Sequence, residues 1–265
     1  MKDLAHILDG WPVGHGEPRV RKFTAGDGTS FLQVRVDLGV LQLAVDGRPD
    51  GDQPHGYDSM LECLADQVRQ YKHPLNISPT EWQALMREVL QFYRRRVTLM
   101  TLAQQAQEEN DLEEAAACYV RAIRDANHNL AILDFLRDSC TGVEDLDDQE
   151  SYRPYILMHR AMCEAQHALL EQDPDEAIEA LKAGIAAIKG CSQTVAVSED
   201  GESERMDVRP FVAELRRMEK RVRKQYSRRR TVREQLEDAL AHEDYERAAK
   251  LRDFLAEQGR RHKRV

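Results

Sequence analysis

The chain has 265 residues, 42% of them apolar, 6% aromatic and 32% charged, and a formal net charge of −9. That composition supports a folded core under a well-solvated, mostly helical surface and argues against an all-β sandwich. No stretch approaches the roughly 20 consecutive apolar residues of a bilayer span, and the first residues lack the apolar segment of a secretion signal, so a cytoplasmic chain with no membrane contact is expected.

The five cysteines (Cys63, Cys118, Cys140, Cys163, Cys191) are odd in number, widely spaced and never in a C-x-x-C pair. A disulfide framework or zinc ribbon is thereby set aside, and buried or half-buried free thiols are expected. Charge is unevenly placed: residues 211–265 carry 17 Lys/Arg against 10 Asp/Glu, so residues 1–210 carry −16. An acidic body with a basic tail suits contact with nucleic acid or with an acidic partner.

Residues 1–75 read as a small α+β domain. Leu32, Val34 and Val36, then Leu41, Leu43 and Val45, alternate on either side of a Gly39-containing turn, the pattern of a β-hairpin with one buried face. Val20 to Phe23 offers a third strand. After a polar loop, Met60, Leu61, Leu64 and Val68 place a helix over Tyr57–Tyr71. Residues 78–191 read as a body of helical hairpins. Ser78-Pro79-Thr80-Glu81 holds an N-cap, a first-position proline and a capping-box glutamate, opening a helix to about Gln107. Further helices are expected from the turn at 109–114 to Asn127, from Leu130 to Ser139, from Pro154 to Glu171, and from Pro174 to Lys189, with an acidic loop at 141–149. Residues 192–208 are polar and aperiodic and read as a flexible linker. Residues 209–265 read as one long basic helix, on the spacing of Phe211, Leu215, Met218, Val222, Tyr226, Leu236 and Leu240, broken at His242–Asp244 and followed by a last helix to Gln258. The fold class is therefore mainly α.

Ala103, Ala106, Ala115, Tyr119 and Ala122 occupy the small and aromatic positions of a tetratricopeptide repeat, and Ala165, Ala177, Leu181 and Gly184 follow a similar pattern. The resemblance is to tetratricopeptide-like hairpins. The two alanines Ala115 and Ala177 lie 62 residues apart, not at the 34-residue tandem spacing, and plain αα-hairpins with alanine at their contacts fit the same residues.

Leu236 and Leu240, the acidic turn Glu243-Asp244, Tyr245, Ala248-Ala249 and Leu251-Arg252-Asp253 resemble the UVR motif found in the UvrB and UvrC subunits of the bacterial excision nuclease, in Clp-type ATPases and in activators of protein-arginine kinases. In that family the hairpin is a protein–protein interaction module. The resemblance implies a protein partner docked on Leu236, Leu240, Tyr245, Ala248, Ala249, Leu251 and Leu255, with Arg252 and Asp253 as flanking polar contacts; self-association into a homo-oligomer is open to such a hairpin. Helicase, nuclease and Walker A motifs are missing, as are the cysteine pairs of the kinase activators, so the partners of those proteins do not carry over. The N-terminal stretch 35–51 is similar to uncharacterised bacterial proteins with the same tail.

Three further features bear on function. Arg216, Arg217, Lys220, Arg221, Arg223, Lys224, Arg228, Arg229 and Arg230 form a run suited to non-specific phosphate contact, which opens the alternative of a DNA-associated accessory factor in excision repair or stress response. The loop Arg48–Asp58 concentrates charged residues and glycines and is the place for a small-ligand or catalytic site if the chain has one, but no nucleophile–base pair accompanies it. His159, Cys163 and His167 stand four apart on one helix without a fourth ligand, so a packed helix face is the reading there. No catalytic residue, metal or cofactor is expected, and the function read from the sequence is a non-enzymatic adaptor.

Overall fold

The computed structural model describes residues 8–11, 19–37, 39–141, 146–191, 196–197, 203–204, 207–226 and 230–262. The N-terminal strands β1 (Arg19–Thr24), β2 (Ser30–Val36) and β3 (Gly39–Ala44) form an antiparallel sheet in that order, with Leu32 opposite Lys22 and Leu43 and with Val34 opposite Val20 and Leu41. Leu32, Leu43 and Val45 are buried. They meet Leu99 and Ala103 of α2 (Pro79–Glu108) and Cys118, Tyr119 and Ala122 of α3 (Leu112–Ser139) in one cluster. The expected apolar face is covered only over this part: Leu41 is exposed and Val34 and Val36 are half-buried, while on the opposite face Gln33 is buried between Arg21 and Gln42. The helices cover part of the face and leave the rest to solvent.

Helix α1 (Met60–Tyr71) starts three residues later than Tyr57, because Ser59 caps it by accepting from the Glu62 N–H. Helix α2 begins on the capping box that Ser78 and Glu81 specify. Helix α3 corrects the reading of two helices: it runs unbroken through Asn127, His128 and Asn129. These residues are weak helix formers, but each has a tertiary partner. Asn127 accepts from Arg160, His128 meets Glu88 at 2.9 Å, and Asn129 donates to the Val89 carbonyl. A short helix, α4 (Leu146–Glu150), stands in the expected acidic loop, whose residues 142–145 lie outside the described ones. Helices α5 (Arg153–Leu170) and α6 (Pro174–Cys191) follow. Most of the expected linker at 192–208 is also outside the described residues; within it Ala196–Val197 pairs with Ser203–Glu204.

Three corners share one construction. In each, an αL residue (Asn110, Gln172, Glu243) ends a helix, and the next residue, an aspartate, caps the following one. The N–H groups of Asp111, Asp173 and Asp244 reach back five residues to the carbonyls of Ala106, Ala168 and Ala239, the Schellman arrangement. Each aspartate then accepts from the N–H three residues on. Four residues after each aspartate stands a buried alanine: Ala115, Ala177 and Ala248. The sequence signature is Ala-x4-Asp-x3-Ala, three times over, and small residues on both sides of the turn let the helices close in.

The largest core joins α3, α5, α6 and α7 (Arg209–Gln225). Ala126, Leu130, Leu133, Leu157, Ala161, Ala165, Ile178, Leu181 and Ile188 meet Val212, Leu215, Met218 and Val222 there. The basic helix α7 therefore closes the core of the body. The contact of α5 with α6 is tight at Gly184, where a Cβ would stand 2.4 Å from that of Ala161. The single long C-terminal helix expected from the apolar spacing is instead two: α7 ends at Gln225 and α8 (Val232–Ala241) restarts on a second capping box, Thr231 with Glu234. Helix α9 (Tyr245–His262) completes the antiparallel hairpin. All five cysteines are free, with Cys63, Cys118 and Cys163 buried.

Candidate functional site

The hairpin α8–α9 is fixed at its base. Thr231 is fully buried; its hydroxyl accepts from the Glu234 N–H and donates to Glu179 of α6 at 2.7 Å. The Val232 N–H donates to Asp175, in the first turn of α6. Glu234 collects the Thr231 N–H at 2.7 Å, Arg223 of α7 at 2.7 Å and Lys182 of α6 at 3.2 Å. Burial works to raise the Glu234 pKa, and these donors outweigh it and hold the carboxyl down at about 2. An outer pair, Arg233 with Glu176 at 3.3 Å, is half exposed and adds little. The anchor is thus mainly polar, unlike the apolar docking of α7.

Beyond the base, α9 packs chiefly on α8. Ala239 and Ala248 form the seam, at 1% and 4% exposure, and Leu236, Ala249, Leu251 and Leu255 are half-buried beside it. The expected continuous docking stripe therefore divides. Leu240 follows Ala239 by one residue, about 100° around the helix, and is 51% exposed; Tyr245, across the corner, is 67% exposed. Phe254, which the sequence reading passed over, is 49% exposed and, nine residues on from Tyr245, stands about half a turn away on the other side of α9. Its signal was present: an aromatic directly after Leu-Arg-Asp, three residues on from Leu251 and so at the edge of the same face. Arg252 and Asp253 are both exposed and bond to each other at 2.7 Å.

The basic run also divides. Arg216, Arg217, Lys220, Arg221 and Lys224 are exposed on α7, away from its apolar stripe. Glu214 sits among them, paired with Arg217 and 3.9 Å from Arg221. Arg223, grouped with them on sequence, is half-buried and held by Glu219 and Glu234, and Arg230, still exposed, is paired with Asp238 at 2.8 Å. Arg228 and Arg229 lie outside the described residues.

In the Arg48–Asp58 loop, Arg48 is buried and bonded to Asp50, with Glu88 at 3.8 Å. Asp50 also accepts from Gln91 of α2. Glu88, itself fully buried, accepts from the Met60 and Leu61 N–H groups at the start of α1. These contacts brace the loop against two helices. His55 and Asp58 are exposed. His159 and Cys163 are buried in the packed body, the Cys163 thiol pushed up to about 12 by burial. Among the described residues no group of three His, Cys, Asp or Glu is placed to hold a metal ion, and no helix is long and apolar enough to cross a membrane.

Residues 227–257 match the family model described as the UvrB/uvrC motif, UVR. The match covers about an eighth of the chain and coincides with the polar base, the alanine seam and the exposed tip. No curated protein and no solved structure matches the chain.

Proposed function

Proceeding from a UVR motif at residues 227–257, we propose that the protein is a non-enzymatic adaptor that docks a partner protein through the hairpin α8–α9. The observation that carries this reading is the pairing of a fixed base with an exposed apolar tip. Leu240 and Tyr245 flank a corner whose own seam is already filled by Ala239 and Ala248. Neither contributes much to the hairpin's packing, and both offer apolar area to another surface. Tyr245, 67% exposed, keeps most of its ring free for a partner, the kind of large amphipathic side chain that anchors interfaces.

The test is a pull-down from nuclease-treated lysate of the source cells, comparing the full chain with a Leu240→Ser/Tyr245→Asp variant. Both positions are exposed, so the variant keeps its helical signal. A protein retained by the unaltered chain and lost by the variant supports the adaptor; identical capture, or none, removes it. Leu251→Asp is a poorer probe, because Leu251 is half-buried against α8 and its loss opens the hairpin itself.

A second reading rests on the five exposed cations of α7: non-specific contact with nucleic acid, as in a DNA-associated accessory factor. It predicts duplex binding that weakens steeply with salt and with Lys220→Glu/Lys224→Glu. No duplex binding at low salt removes it.

A further inference from the structure

A cavity of about 730 Å³ opens between α2, α3, α5 and α7, within the size range of small-molecule sites. Its walls are aromatic: Tyr93, Tyr152, Tyr155 and Phe211. Gln149 and Ser151 stand in that lining at the solvent side, and two buried polar side chains join them, Arg96 and Asn129, each 1% exposed.

Arg96 is the unusual member. Among the described residues its guanidinium makes no ion pair, and Nε and Nη1 have no hydrogen-bond partner. The carboxylate whose charge acts most on Arg96, Asp125, is hydrogen-bonded elsewhere: it is held in bidentate fashion by Arg95 at 2.7 and 2.8 Å and touched by Arg124. Arg48 and Glu88 pair separately. His159, close enough for Arg96 to repel its protonated form, is kept uncharged by burial first and by that repulsion second. The Tyr93 ring lies 5.6 Å from the Arg96 guanidinium carbon, a contact far weaker than a carboxylate would supply. Asp125 therefore reaches Arg96 only through its field, shared among three arginines, and a buried guanidinium with hydrogen bonds unmade in a cavity wall suits an anion from outside the chain. Asn129 fixes the second element of recognition. Its amide N–H donates to the Val89 carbonyl, which leaves Oδ1 as an acceptor without a partner.

We propose that this cavity binds a small organic monoanion, a carboxylate on a flat aromatic or apolar body. Arg96 receives the carboxylate, the tyrosines and Phe211 enclose the body, and Asn129 Oδ1 accepts from a donor group on the ligand. One uncompensated guanidinium matches one negative charge, which favours a carboxylate over a phosphate monoester dianion. The site lies on the body, so it stands or falls independently of the hairpin.

The test is calorimetric titration of the full chain with 1-naphthoate, its neutral isostere 1-naphthamide, and 1-naphthyl phosphate. Naphthoate is expected to bind at least about tenfold more tightly than the amide, the value of one charge-assisted hydrogen bond, and more tightly than the phosphate. Arg96→Met is expected to abolish the preference over the amide and Arg96→Lys to keep part of it. Leu90→Trp, at an exposed position of the cavity lining, is expected to weaken naphthoate about fivefold by adding bulk there, without touching Arg96. Equal affinity for acid and amide, no naphthoate binding at millimolar concentration, a preference for the phosphate, or a preference retained in Arg96→Met overturns the proposal.

Discussion

Arg95 and Arg96 are neighbours on α2, both buried, with opposite fates. Arg95 is neutralised by Asp125 and also donates to the Ala44 and Gly47 carbonyls at 3.0 and 2.7 Å, so it joins the end of β3 to the body. Removing one partner of such a pair strands the other. Asp125→Ala is expected to cost about 3–5 kcal/mol in chemical denaturation, while Arg95→Met with Asp125→Leu loses less; equal losses would mean that the carbonyl contacts matter more than the ion pair. The same region sets an acid response. His159 has a folded-state pKa of about 3, against 6.5 as its ordinary value. The unfolded chain therefore binds the extra proton first, and the stability from a neutral His159 is present above pH 6.5 and lost as pH falls toward 3. Glu234, held at about 2 against 4.5, adds a second loss only below pH 4.5. Melting curves of His159→Phe, which keeps a flat ring against Tyr155, are expected to flatten between pH 6.5 and 4.5 and to keep the decline below. An unchanged slope in the upper window would assign the proton elsewhere.

Elements were legible where their signals are local. Ser78 with Glu81 announced α2, and the corners at Asp111, Asp173 and Asp244 were visible as acidic turns, although the shared Ala-x4-Asp-x3-Ala signature shows its meaning only once the back-bonds are seen. The helix through Asn127–Asn129 was not legible, because Glu88, Val89 and Arg160 stabilise it from other helices. The break before Thr231 was missed for the opposite reason. Apolar spacing continued through Tyr226, and the second capping box, written in the same Ser/Thr-x-x-Glu form as the first, carried the true boundary. Arg96 gave no sign at all, since Arg94, Arg95 and Arg96 look like one solvated run, yet Arg94 alone is exposed. Packing between elements yields its own prediction. Gly184→Ala places a methyl 2.4 Å from the Ala161 Cβ, so α5 and α6 must separate; a loss of about 1–3 kcal/mol is expected. Ala161→Gly added to it is expected to recover most of that loss, and a lack of recovery would show that the strain lies elsewhere.

The molecule as a whole sets a polar hinge between a well-packed body and a thin hairpin. Helix α7 belongs to the body, through Val212, Leu215, Met218 and Val222, while α8 is attached by Thr231, Val232 and Glu234. Loss of the Glu234 carboxylate removes its bonds from Arg223, Lys182 and the Thr231 N–H at once, while the Thr231 hydroxyl still caps α8. Glu234→Ala is therefore expected to speed amide exchange across α8 and α9 and to leave α5 and α6 protected; exchange that rises equally in the body would contradict a separately anchored hairpin. The UVR match, the filled seam and the exposed tip together support the proposal that a partner docks at Leu240 and Tyr245. The most direct measurement replaces Tyr245 by a photocrosslinking phenylalanine analogue in the source cells, with Tyr152, 58% exposed on the body, as the control position. Docking at the tip predicts a discrete protein adduct from position 245 that is not formed from 152. The same adducts from both positions, or none from 245, would contradict it.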